Sequence, residues 1–170
     1  MAVGGRRSPM RIEMPESRFA DLDGPVHFVE WDGPPGRTIV LVHGLGGSLL
    51  SWLAVAPGLA KHGRVLALDL PGFGRSDRGG RRSRVSDLRT TVSRFIDEVA
   101  DGGPVVLVGN SMGGFISAEV AIAQPEWVER LMLVSAAGMS HVHMRREPAE
   151  ALAHDLAVER VGQPHGHPAA

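Results

Sequence analysis

The chain has 170 residues, 43% of them hydrophobic and 22% charged, with a formal net charge of −1. That is enough apolar chain for one globular core, and the near-neutral balance argues against a nucleic-acid-binding protein, which needs a basic excess. With no cysteine, disulfides, thiolate catalysis and Cys-ligated metals are excluded.

In chain order, residues 1–9 read as a disordered leader, given Gly4, Gly5, Ser8 and Pro9. Arg6 and Arg7 are not followed by the apolar stretch of a signal peptide, and no run approaches the roughly 18 apolar residues of a membrane span. The expectation is a cytoplasmic protein with no membrane contact. A core is expected over residues 10–140. Within it, residues 26–31 alternate in polarity and predict an outer antiparallel strand. Thr38-Ile39-Val40-Leu41-Val42-His43 is a continuous apolar run between Pro34-Pro35-Gly36 and Gly44, the pattern of a strand buried on both faces. Residues 49–61 put Leu49, Leu50, Leu53 and Leu59 near one face and predict a helix. Val65-Leu66-Ala67-Leu68-Asp69 predicts the next strand, closed by Pro71-Gly72.

The stretch from Arg78 to Arg84 holds four arginines among glycine and serine and reads as a solvated loop. Residues 85–100 then place Val85, Leu88, Val92, Phe95, Ile96 and Val99 at helical spacing. Val105-Val106-Leu107-Val108 and Leu131-Met132-Leu133-Val134 predict two further strands, with an apolar helix over residues 115–123 between them, stopped by Pro125. Strand and helix at this cadence imply a three-layer α/β fold with a mostly parallel sheet of about six strands. From about residue 145 the pattern changes. Residues 148–161 could form one polar helix, and residues 162–170 read as a disordered tail.

Three segments carry chemistry. Gly109-Asn110-Ser111-Met112-Gly113-Gly114 contains G-x-S-x-G between a predicted strand and a predicted helix. In a chain with 22 glycines the bare pattern is weak, and the strand–turn–helix context gives it weight. A serine at such a turn is held in a strained conformation, with helix N–H groups behind it to meet developing negative charge. The plain alternative is a helix N-cap serine. His43-Gly44-Leu45-Gly46-Gly47 follows an earlier strand and makes a glycine-rich loop. Acyl transfer needs two N–H donors for its oxyanion; Leu45 and Met112 are the candidates, and Gly44 is a candidate substrate-binding residue. His43 reads as a structural side chain bonding loop backbone. Asp69-Leu70-Pro71-Gly72-Phe73-Gly74-Arg75-Ser76-Asp77 reads as a turn with Asp69 ordering the loop.

In this order the three segments resemble the α/β-hydrolase family, in particular its branch of esterases, lipases and carbon–carbon bond hydrolases. The resemblance covers roughly residues 25–140. It implies a serine hydrolase acting on an ester or related acyl bond of a small molecule, with Ser111 as nucleophile and no cofactor or metal. It also implies an acid and a histidine following later strands. After Ser111 the only aspartate is Asp155, and the histidines are His141, His143, His154, His165 and His167. No further strand pattern presents any of them, and residues 135–140 hold no carboxylate. The chain therefore reads as truncated after the nucleophile half, with residues 141–161 beginning a cap, and weak or inactive as an enzyme. A non-catalytic remnant or interaction module is the alternative. A dinucleotide loop at residues 44–48 fits less well, because Leu49 stands where its third glycine belongs. In the family two more strands follow outward from residues 131–134, so the edge from Leu131 to Val134 is expected to self-associate.

Overall fold

The computed structural model describes residues 14–79 and 84–138. The expected leader, cap start and tail, with Asp155 and the five later histidines, lie outside the described residues, as do residues 80–83 of the arginine-rich loop.

Among the described residues six strands form one sheet: β1 (Arg18–Asp21), β2 (Pro25–Trp31), β3 (Thr38–Val42), β4 (Arg64–Leu68), β5 (Val105–Asn110) and β6 (Val128–Val134), in the order β1-β2-β4-β3-β5-β6. The β4–β3, β3–β5 and β5–β6 pairs are parallel, whereas β2 is antiparallel to both neighbours. This is the mostly parallel α/β sheet expected from the sequence. The central strands are apolar throughout because both faces are covered. In register, Val40 lies between Leu66 and Leu107, and all three are fully buried in one core with helices α2 (Val85–Glu98) and α3 (Met112–Ala123). Ile39, Leu41, Val65, Ala67 and Val108 face the other way, onto Leu49, Trp52 and Ala56.

α2 buries Val85, Leu88, Val92, Phe95 and Ile96, the stripe its sequence spacing predicts. Phe95 meets Phe28 edge to face at 5.4 Å, and burying each such side chain contributes about 1.5–3 kcal/mol. The helix expected over residues 49–61 is not continuous. It is a 3₁₀ turn (Leu49–Trp52) and a single α turn, α1 (Ala56–Leu59). Pro57 is the physical reason: it lacks an N–H, and its ring would clash with the carbonyl four residues earlier in a continuous helix. β1 has no counterpart among the predicted elements. It is short and mostly exposed, and a turn with positive φ at Asp23 (63°) and Gly24 (124°) joins it to β2. β6 is an edge strand, paired on one side only among the described residues.

Candidate functional site

The parallel strands β3, β4 and β5 end together, and their C-terminal loops carry all three motifs. Such crevices are where open α/β sheets place ligands. Ser111 joins β5 to α3 with φ 52° and ψ −118°, a region costly for a residue with a side chain. It occupies the N-cap position, but its hydroxyl makes no capping hydrogen bond. The backbone around it does the holding. The Ser111 N–H donates to the Val134 carbonyl (3.0 Å), and the Ser111 carbonyl accepts from Gly114, Phe115 and Ala137 at 3.0, 3.2 and 3.0 Å. The turn is thus tied both to its helix and to the segment after β6.

Close packing explains the glycines here. A Cβ on Gly109 would lie 2.3 Å from the Gly113 carbonyl oxygen, and one on Gly114 would lie 2.7 Å from the Ala136 Cβ. A Cβ on Gly44 would stand 3.1 Å from the Ser111 Cβ, so the loop after β3 passes directly beside the serine. In that loop the Gly47 N–H donates to the Gly44 carbonyl (3.1 Å), making a turn that leaves Leu45 at its tip, 60% exposed. Met112 is the first residue of α3, where an N–H has no acceptor within the helix.

His43 is fully buried. Its Nε2 accepts the Leu70 N–H at 3.0 Å, which fixes the proton on Nδ1, and Nδ1 donates to the Gly44 carbonyl at 2.7 Å. Burial pushes its pKa below the ordinary value, opposed in part by the bond to Gly44 and by the charge of Asp69. With both ring nitrogens committed to backbone, His43 ties the loop after β3 to the loop after β4.

Asp69, also buried, ties the same loops a second time. Its Oδ1 accepts the Leu49 N–H (2.7 Å), and its Oδ2 accepts the Arg75 N–H (2.9 Å) and the His27 Nδ1 proton (2.7 Å). The Ser76 hydroxyl donates to the Asp69 carbonyl and accepts the His27 N–H. Sequence reasoning reaches Asp69 as a loop-ordering residue but misses His27 and Ser17, whose Oγ lies 3.0 Å from His27 Nε2. His27 sits in the alternating run of β2, whose pattern assigns a polar residue to the solvent side, with nothing local to indicate its partner.

The structure thus brings Ser111, Gly44 and the Leu45–Met112 pair of loops to one place. Among the described residues no histidine is free to serve Ser111: His27 and His43 are committed elsewhere, and His62 precedes β4, at the opposite end of the parallel strands. Nor, among these residues, could any group of three or more His, Asp or Glu hold a metal ion. A cavity of about 400 Å³ lies at the opposite end of the sheet. Of its charged lining, Arg64 pairs with Asp101 and Arg37 with Glu129.

The alpha/beta hydrolase fold model matches residues 37–162. The chain belongs to the alpha/beta hydrolase family. Among curated relatives, it is 40% identical over 126 residues to the dihydrolipoyllysine-residue acetyltransferase component of an acetoin cleaving system from Pseudomonas putida, covering 74% of this chain and 34% of that protein. It is 36% identical over 112 residues to 2-hydroxymuconate semialdehyde hydrolase from Pseudomonas sp. (strain CF600), covering 64% and 40%. The crystal structure of Cfl2 from Burkholderia cenocepacia superposes with a TM-score of 0.71 at 32% identity, over 85% of this chain and 50% of that one. The chain therefore spans about a third to two-fifths of the curated relatives it matches. Like other family members it carries a mostly parallel sheet flanked by helices. No helix among its described residues is long and apolar enough to cross a membrane.

Proposed function

We propose that the chain carries the nucleophile site of a serine hydrolase acting on ester or related acyl bonds. One observation supports this above the others: Ser111 is held at φ 52° and ψ −118° at the strand–helix junction, with its hydroxyl unused as a cap. A side chain kept in a strained conformation by tight glycine packing, yet bonded to nothing as a cap, suits a reacting group. In this reading the Ser111 oxygen attacks the acyl carbon, and the carbonyl π electrons move to oxygen. The N–H groups of Leu45 and Met112 receive that oxyanion. Collapse expels the leaving alcohol with a proton, and water then hydrolyses the acyl-serine. Gly44, lacking a side chain beside Ser111, leaves the acyl group room to approach.

Both nitrogens of His43 are bonded to backbone, so no described histidine can take the serine proton. The chain is accordingly proposed to be a weak esterase, with rate enhancement of about 10³–10⁴ from oxyanion binding alone. The test is labelling with an activity-based fluorophosphonate, with the adduct mapped by peptide, alongside p-nitrophenyl ester turnover. A slow adduct at Ser111 that disappears in Ser111→Ala supports the nucleophile. Equal labelling of the same peptide in that variant refutes it. A turnover number above about 1 s⁻¹, lost in Ser111→Ala, would show a base serving Ser111 from outside the described residues. A folded chain with no Ser111 adduct would favour the second reading, a binding module on a hydrolase fold.

A further inference from the structure

We propose that Ser17 is a second nucleophilic site, set in a serine–histidine–aspartate relay with His27 and Asp69, that takes an acyl or phosphonyl group from an activated donor. The three side chains connect in the order that activates a hydroxyl. Asp69 Oδ2 lies 2.7 Å from His27 Nδ1, and His27 Nε2 lies 3.0 Å from Ser17 Oγ. Asp69 accepts the backbone N–H groups of Leu49 and Arg75 as well, so both of its oxygens act as acceptors and the imidazole Nδ1 is the donor to it. With the proton on Nδ1, the Nε2 lone pair faces the serine hydroxyl. This is the tautomer a general base requires.

The surroundings suit the chemistry. His27 and Asp69 are buried, so the base and its positioning carboxylate are dry and fixed. Ser17 is half-buried and open to a reagent. The Arg75 guanidinium donates to Ser17 Oγ and lies 5.6 Å from the Phe19 ring centroid, which places a cation beside the serine oxygen, where it favours the alkoxide over the hydroxyl. Phe19 flanks the imidazole at 5.1 Å. In the step itself the Ser17 Oγ–H proton passes to His27 Nε2 as the new oxygen–phosphorus bond forms. With a fluorophosphonate the P–F bond breaks and fluoride departs with the electron pair. With an activated ester the bond from the acyl carbon to its leaving oxygen breaks instead, and the alcohol departs with the proton returned from His27. The relay is distinct from Ser111, whose described surroundings hold no such base.

A serine that merely satisfies the second imidazole nitrogen would make the same bonds, and reactivity separates the two cases. The protein is treated with a fluorophosphonate as Ser111→Ala, so that the proposed primary site is silent. After tryptic cleavage residues 12–18 form one peptide, Ile-Glu-Met-Pro-Glu-Ser-Arg, in which Ser17 is the sole hydroxyl. An adduct on that peptide is expected, absent in Ser17→Ala and slowed about 100-fold in a folded His27→Gln variant. Because His27 is buried and its replacement can unfold the chain, Ser17→Cys provides a second reading. It would be the chain's single thiol, and paired with His27 and Arg75 its alkylation by iodoacetamide should reach half its maximal rate well below the ordinary thiol value of about 8.5. No adduct on residues 12–18, or alkylation with the pH dependence of an ordinary thiol, overturns the proposal. Labelling of Ser111 is read on a different peptide and stands or falls separately.

Discussion

Gly113 packs so tightly against Val42 that a Cβ on it would lie 2.4 Å from the Val42 carbonyl oxygen, and 2.3 Å from that of His43. The first turn of α3 therefore sits directly on the end of β3, which sets the spacing between Ser111 and the loop carrying Leu45. Because the obstructing atoms are strand backbone, they cannot move aside cheaply. Gly113→Ala is expected to destabilise the fold by about 3 kcal/mol or more, in the range of severe overpacking. Urea denaturation measures it. A loss under about 0.5 kcal/mol would mean that α3 can lift off β3 without consequence.

The strain at Ser111 gives a second expectation. Replacing a residue held at positive φ by glycine removes a penalty of about 1–3 kcal/mol, offset by about 0.5–1 kcal/mol of extra chain entropy in the unfolded state. Ser111→Gly should therefore be more stable than Ser111→Ala, which keeps the Cβ, by about 1 kcal/mol. Paired thermal melts decide it, and equal stabilities would show that the turn is relaxed.

The pair of loops that face Ser111 was legible because their signals are local. An apolar run closed by glycine predicts β3, β4 and β5, and G-x-S-x-G between strand and helix predicts the turn at Ser111. The break at Pro57 was legible as well, but leucine periodicity over residues 49–61 outweighed a proline that forbids the helix. β1 escaped because it buries little and so carries no apolar pattern; its signal is the Asp23-Gly24 turn. His27, Ser17 and Asp69 meet across 42 and 10 residues of sequence, and nothing in their immediate neighbours announces the contact.

His43 predicts a pH dependence. Burial lowers its folded pKa below the ordinary 6.5, while the unfolded chain keeps the ordinary value. Between the two, the unfolded state binds a proton that the folded state does not, so stability falls as pH drops below 6.5 toward the lowered value. Above that window the contribution is complete and flat. Protonation would also place a donor on Nε2 against the Leu70 N–H. His43→Gln should flatten this part of the curve and lose about 1–3 kcal/mol at neutral pH from the disrupted buried bonds. Denaturation from about pH 5 to about pH 8 measures both effects, and an unchanged slope in the variant would assign the dependence elsewhere.

The outer edge of β6 supports a proposal about assembly. Along it Leu131, Met132 and Val134 are 38%, 54% and 40% exposed, although the same run reads as a strand meant for burial. Leu131 pairs in register with Leu107 and Met132 with Val108, so the exposed side chains extend both apolar faces of the sheet past their helical cover. No charge or proline interrupts Leu131 to Val134, and those are the devices that keep an open edge from pairing. Two copies meeting edge to edge would satisfy each other's strand N–H and C=O groups and cover Met132 together. The isolated chain is therefore expected to elute as dimers or larger species in size-exclusion chromatography with light scattering. Met132→Lys, a charge placed at an already exposed position, should shift it toward monomer with little change in thermal stability. A monomer at every concentration, unfolding cooperatively, would instead mean that residues beyond 138 or before 14 already cover the edge.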